Sequence, residues 1–157
     1  MANKLQEVHV VPALAPADIT TSTTYTDVIG AKEAHEVEID VIFGAITGDT
    51  VTLTVEECDD TTPSNSSAIA FNYQKSSAVG TDSMGAVTAA TTSGITIAAT
   101  DDNKVVRVFV DPAALSSGYP YVRVSLAPGG SMSACVVGAI ALLRDRYPQE
   151  VPVSSVD

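Results

Sequence analysis

Few residues in this sequence could do chemistry, and their spacing decides what they could do. Only two histidines occur, His9 and His35, and neither has a second histidine two or four residues away. A zinc centre or an imidazole base needs such a neighbour, so surface or strand-edge positions are the expectation for both. The two cysteines, Cys58 and Cys135, show no C-x-x-C or Cys/His spacing, which argues for buried free thiols over a disulfide framework or a zinc site. The arrangement with most cation-binding potential is acidic: Asp59-Asp60 and Asp101-Asp102-Asn103 could together offer oxygens to calcium, a hard cation. Their spacing matches no EF-hand loop, and carboxylates at turns ordinarily form the turn, so no metal or cofactor is expected.

Nucleophilic chemistry finds no better support. Ser131 follows Gly129-Gly130, but the G-x-S-x-G elbow is absent and the preceding Pro128-Gly129 pair describes a plain turn. The glycines form neither G-x-G-x-x-G nor a phosphate loop, so a nucleotide site is not expected. The chain is therefore read as a non-enzyme. What stands out instead is interface chemistry. Arg144, Arg146 and Tyr147 cluster with Pro148 after the last apolar segment, and Tyr119 and Tyr121 flank Pro120. Arg and Tyr favour protein interfaces because they combine apolar area with directed hydrogen bonds. With the apolar residues Leu5, Val8 and Val10 near the other end, these are the candidate protein–protein contacts.

The elements that must carry these residues are constrained by composition. The chain has 157 residues, 45% hydrophobic and 17% charged, with a formal charge of −11. That is the size of one domain with a sizeable core, and too apolar for a disordered acidic tail. Eight Lys and Arg residues, scattered, cannot build a phosphate-binding surface, so neither nucleic acid nor anionic lipid is an expected partner. The stretch before Pro12 is interrupted by Glu7 and His9, so no secretory leader is expected. Met132 to Leu143, the longest uncharged apolar stretch, falls short of the ~20 residues a membrane helix needs.

Periodicity points to strands. Val37, Ile39, Val41 and Phe43 alternate with Glu36, Glu38 and Asp40; Val51, Leu53 and Val55 alternate with Thr52, Thr54 and Glu56. The glycine-bearing link Gly44 to Thr50 predicts a hairpin between them. Cys58 to Ser67 reads as a loop, Ile69 to Tyr73 as a short strand, and Met84 to Val87 as a weak one. Ile95 to Ile97 and Val105 to Val110 follow as strands, with Asp101-Asp102-Asn103 as the turn between them. Asp111-Pro112 predicts a short helical turn ending by Gly118, and Tyr121 to Leu126 another strand. Met132 to Leu143 fits both a helical stripe and a strand face; Val136-Val137, Gly138 and the preceding Pro-Gly-Gly turn favour a strand hairpinned to its predecessor. The sum is an all-β single domain, an antiparallel β-sandwich or jelly-roll-like barrel over residues 17–146. Prolines 12, 16, 148 and 152 mark residues 1–16 and 147–157 as extended terminal arms.

The order of parts resembles a family. An N-terminal arm, Tyr25-Thr26-Asp27-Val28-Ile29-Gly30, the acidic strand pair through Val55, a Val-rich strand ending in Asp111, Tyr121-Val122-Arg123-Val124, and a closing Leu143-Arg144-Asp145-Arg146-Tyr147-Pro148 are similar to small virion structural proteins of tailed bacteriophages. Within that group the chain is most similar to capsid decoration, or cement, proteins. The likeness spans Ala17 to Glu150 and rests on layout, so it transfers no functional residue. It implies a sandwich body, made in the host cytoplasm, that binds the major capsid protein on the outside of the virion, as a homo-oligomer. There it would strengthen the shell against internal DNA pressure. The competing classes are a head–tail connector or tail subunit, a carbohydrate-binding β-sandwich, and a small hydrolase; no Trp is present to stack on a sugar ring, and no convergent ionisable groups can be assembled for an enzyme.

Overall fold

The computed structural model describes residues 8–146, and they form an all-β domain. The strands are β1 (His9–Asp18), β2 (Thr24–Tyr25), β3 (Ile29–Gly30), β4 (Ala34–Thr47), β5 (Val51–Cys58) and β6 (Ser66–Ile69). They continue with β7 (Phe71–Lys75), β8 (Thr88–Ala90), β9 (Ile95–Ile97), β10 (Val105–Val110), β11 (Tyr121–Pro128) and β12 (Ala134–Asp145). Sheet A has the order β1-β12-β4-β10-β7-β8; sheet B has the order β2-β11-β5-β6, with β3 also beside β11 and β9 beside β5. All neighbours are antiparallel. Four strands of each sheet, β1-β12-β4-β10 over β2/β3-β11-β5-β6, are ordered as in a jelly roll, with β7 and β8 widening sheet A.

Alternation builds the core. Val37, Ile39, Val41 and Phe43 of β4, Val106 and Val108 of β10, and Val137, Ala139, Ala141 and Leu143 of β12 point inward from sheet A. Val51, Leu53 and Val55 of β5 meet them from sheet B with Val122, Val124 and Leu126 of β11. Met132 to Leu143 is thus resolved in favour of a strand, because that choice sends one residue in two to this core.

Strand partners differ from the sequence expectation. The expected hairpin between Glu36–Phe43 and Val51–Val55 does not form: β4 and β5 lie in different sheets, and so do β11 and β12. Each link is an arch over the end of the sandwich, and the two arches hold each other. Gly129 N–H donates to Thr50 O at 2.8 Å, and Ser133 N–H to Thr47 O at 2.7 Å. The Asp49 carboxylate accepts from Thr50 N–H at 2.8 Å and Ser131 N–H at 3.2 Å. Those N–H groups hold its pKa below the usual carboxylate value. Gly48 supplies the φ of 98° this corner requires.

Other segments are corrected in the same way. Ile69 to Tyr73 is not one strand: Ala70 marks a switch of sheet, with β6 pairing β5 and β7 pairing β10. Ser66 and Ser67, expected in a loop, open β6. Met84 makes only an isolated bridge to Ser76, and the strand comes later, as β8. Tyr25 to Gly30 is split into β2 and β3 by Thr26, which is buried. Its hydroxyl accepts Val124 N–H at 2.9 Å and donates to Asp27 O at 3.0 Å, standing in for the ladder there. The Asp111-Pro112 turn forms as expected, a 3-10 turn at Pro112–Ala114 with the Asp111 carboxylate capping Ala113 N–H at 2.9 Å.

The largest correction concerns the N-terminal arm. Residues 9–16 are not a free extension but most of β1, which pairs β12 along its length and buries Val11 and Ala13. Pro12 and Pro16 misled because proline suits arms, but it suits edge strands equally: β1 has a neighbour on one side only, so the missing N–H costs no ladder bond on the other. Residues 1–7 and 147–157, which include the candidate contacts Leu5 and Tyr147, lie outside the described residues.

Candidate functional site

The outer face of sheet A is assembled by register. Val10 of β1 sits opposite Leu142 of β12, and Pro12 opposite Ile140. Across β12, Gly138, Ile140 and Leu142 face Ile42, Asp40 and Glu38 of β4. Beyond β4, Val105, Arg107 and Phe109 of β10 continue the same rows. The result is an apolar band over β1, β12 and β4, bordered by a charged cluster on β4 and β10. Val10, Ile42, Val136 and Ile140 are 54%, 45%, 50% and 39% exposed, although a solvated sheet face normally carries polar residues at such positions.

The charged cluster centres on Arg107. Its guanidinium donates to both oxygens of Asp40, at 2.8 and 2.9 Å, and lies 2.7 Å from Glu38 Oε1. Paired with both acids, Arg107 has its pKa raised, chiefly by the Asp40 hydrogen bonds. Glu38 stands between Leu142 and Phe109 across the strands, and is largely covered. That burial raises its pKa above the usual carboxylate value, with Arg107 opposing. A carboxyl whose folded pKa is raised binds its proton more tightly folded than unfolded, so its ionisation lowers stability as pH rises from its ordinary value through the folded one. Glu38→Gln is therefore expected to be at least as stable as the natural chain at pH 7. The difference between the two should shrink as pH falls through the raised folded value toward the ordinary carboxylate value in urea titrations; a variant that loses stability at pH 7 contradicts this.

Sheet B presents a different face. Arg123 lies 3.9 Å from the centre of the Tyr25 ring, pairs with Glu56 at 2.7 Å and reaches Ser66 Oγ at 3.3 Å. Thr52 and Thr54 continue the face in polar side chains, as on an ordinary wet sheet surface.

Of the candidate contacts read from sequence, two fall on the apolar face of sheet A. Val10 is part of the band, and Arg144 flanks it, its Nε 3.7 Å from Glu36. Val8 is half-buried just before β1. Arg146 turns back to donate to Ala34 O at 3.2 Å. Tyr121 lies on the far side, in β11 of sheet B, and Tyr119 in the turn before it, so the structure does not bring these tyrosines to Arg144. Ile42, Val136, Ile140 and Arg107 were missed. The signal was present in β12, whose alternate residues are apolar on both faces.

The acids considered for calcium are engaged separately. Asp59 accepts from Asn65 N–H and Nδ2 and from Ser64 Oγ at 2.8–3.1 Å, which lowers its pKa, Asn65 contributing most. Asp60 accepts from Thr61 N–H at 2.7 Å. Asp101 pairs with Lys75 at 2.8 Å, and Asp102 accepts Ile46 N–H at 2.8 Å. Among the described residues no three His, Cys, Asp or Glu come together as metal ligands. Cys58 and Cys135 are both buried and unpaired, and burial pushes the Cys58 thiol up to about 11. A cleft of about 610 Å³ near the sheet switch, lined by Phe71, Asn72, Phe109 and Asp111, also includes Glu57. The Glu57 carboxylate is occupied by Ser116 N–H at 2.8 Å.

No protein-family model matches the chain, and no curated protein does. Among solved structures it is similar to the CBM22-1–GH10 modules of Clostridium thermocellum endo-1,4-beta-D-xylanase 10B complexed with xylohexaose. That likeness has 9% identity and a TM-score of 0.38, and covers 96% of this chain and 26% of that one. It is also similar to a structure of infectious bursal disease virus, Gt strain, at 11% identity and a TM-score of 0.27, covering 91% of this chain and 41% of that one. The chain spans less than half the length of either, and at these TM-scores neither likeness bears on function.

Proposed function

We propose that this chain is a non-enzymatic structural protein of a phage virion, bound to the outside of the capsid and stabilising the shell. The observation that carries the reading is the apolar band on sheet A. Concentrated exposed apolar area on one face marks a surface that docks protein. The layout resemblance to decoration proteins supplies the kind of assembly. We assign the contact with the shell to the two terminal segments; among the described residues, His9 at the start of β1 pairs with Leu143 near the end of β12, close in sequence to Arg144 and Arg146.

The test is co-sedimentation with undecorated capsids of the parent phage. The intact chain is expected to bind saturably, and chains lacking residues 1–7 or 147–157 to bind more weakly while unfolding at the same temperature. Truncation must stop before His9, because removing β1 would uncover the β12 edge and Val11 and Ala13 would be lost from the core. An intact, folded chain that binds no capsid overturns the reading.

A further inference from the structure

We infer that the cleft at the sheet switch is a binding site for the cationic side chain, Arg or Lys, of an extended segment of another protein. The inference goes beyond the reading of this chain as a shell protein and does not use the band on sheet A.

The departure from pattern is Glu57. In β5 the alternation that sends Val51, Leu53 and Val55 into the core sends Glu57 inward next, and the residue is only 5% exposed. A carboxylate so placed needs partners. One oxygen, Oε2, accepts Ser116 N–H at 2.8 Å, and among the described residues nothing pairs with the other. No closed-off side-chain oxygen in that set lacks a partner, so Oε1 opens on the cleft of about 610 Å³ that Glu57 lines. That volume lies within the usual range for ligand sites.

Charge selects the ligand. The other charged side chain lining this cleft is Asp111, whose Oδ1 caps Ala113 N–H; among the described residues no Lys, Arg or His lines it. A smaller cavity of about 320 Å³ shares Asn72, Phe109 and Asp111 with it and adds His35 and Glu36. Two carboxylates with no resident cation, in a chain of charge −11, favour a positive group and repel an anion. Ile69 and Phe109 give the hydrocarbon stem of Arg or Lys an apolar wall.

The strand edges select a segment over a free amine. The cleft is walled by β6, at the edge of sheet B, and β8, at the edge of sheet A. Neither strand contains a proline or a charge, in contrast to β1 with Pro12 and Pro16. Open edges of this kind accept an extended chain through main-chain hydrogen bonds, while its side chains enter adjacent pockets.

The experiment follows the amide NMR signals of the isotopically labelled full chain as three probes are added separately. They are an end-blocked pentapeptide with one arginine among alanines, the same peptide with citrulline, which keeps the shape without the charge, and ethylguanidinium alone. The arginine peptide is expected to shift signals in residues 67–72, 89–92 and 109–116 saturably, and the citrulline peptide to bind at least roughly tenfold more weakly. Glu57→Gln can still accept Ser116 N–H, so it should keep the melting temperature yet bind the arginine peptide at least roughly tenfold more weakly. Asp82→Asn removes the same charge from an exposed position that does not line the cleft, and should bind as the natural chain does. Should Glu57→Gln fail to fold, Asp111→Asn, which can still cap Ala113, takes its place with the same expected loss. An arginine peptide that does not bind, that binds no better than the citrulline peptide, or that the folded cleft variant binds as well as the natural chain overturns the inference. So does a loss in Asp82→Asn equal to that in the cleft variant. Ethylguanidinium that binds as tightly as the peptide makes a small cation the occupant and overturns the assignment to a protein segment.

Discussion

Phe43→Ala should lower stability by about 3–5 kcal/mol, the range for truncating a buried aromatic residue. Phe43 is 1% exposed in the middle of β4, with Val137 opposite it on β12. β4 is the strand that joins β12 to β10, so a cavity there loosens the centre of sheet A rather than an edge. Neighbouring Val and Ile side chains are stiff at χ1 and cannot swing in to fill the space. A domain of this size holds only about 5–15 kcal/mol in total, so the melting temperature should fall by roughly ten degrees. Urea unfolding followed by circular dichroism checks this. A loss below about 1 kcal/mol would mean that the inter-sheet packing is looser than described.

Arg107→Met should cost about 2–3 kcal/mol at pH 7, less than the loss of a fully buried ion-pair partner because the Arg107 side chain is 33% exposed. The guanidinium neutralises two carboxylates at once, Asp40 through two hydrogen bonds and Glu38 at 2.7 Å. Methionine keeps much of the apolar stem over the sheet but leaves two acids facing each other on β4. The loss should therefore depend on pH. Glu38, already raised by burial, loses its main opposing influence and protonates more readily, so the variant should recover part of its stability between pH 7 and 5. Equilibrium unfolding of both chains across that range is the check, and a deficit that is constant with pH would contradict the ion-cluster account.

Strand identity was legible in the sequence because a half-buried strand writes its burial at every second residue, as Val37, Ile39, Val41 and Phe43 do. Strand partnership was not. The Gly44 to Thr50 link looks the same whether it closes a hairpin within one sheet or an arch between two, since either route buries the same alternate side chains. The distinction is made by Asp49, Gly129 and Ser133, more than eighty residues apart in part, which bind the two arches together. Prolines hid β1 for a similar reason: an edge strand and a free arm have the same local chemistry. At the candidate site, Val10 and Arg144 were legible as interface types, whereas Ile42 and Arg107 became meaningful only once β4, β10 and β12 were laid side by side. The double apolar face of β12, which made Met132 to Leu143 ambiguous between helix and strand, is the sequence trace of the exposed apolar band on sheet A.

The measurement that bears most directly on the proposed role is the content of purified phage virions, with this chain sought by mass and counted against the major capsid protein. The account predicts a fixed, high copy number per particle, with the chain open to labelling on intact particles. Intact virions that lack the chain, or carry it only inside the shell, would contradict it.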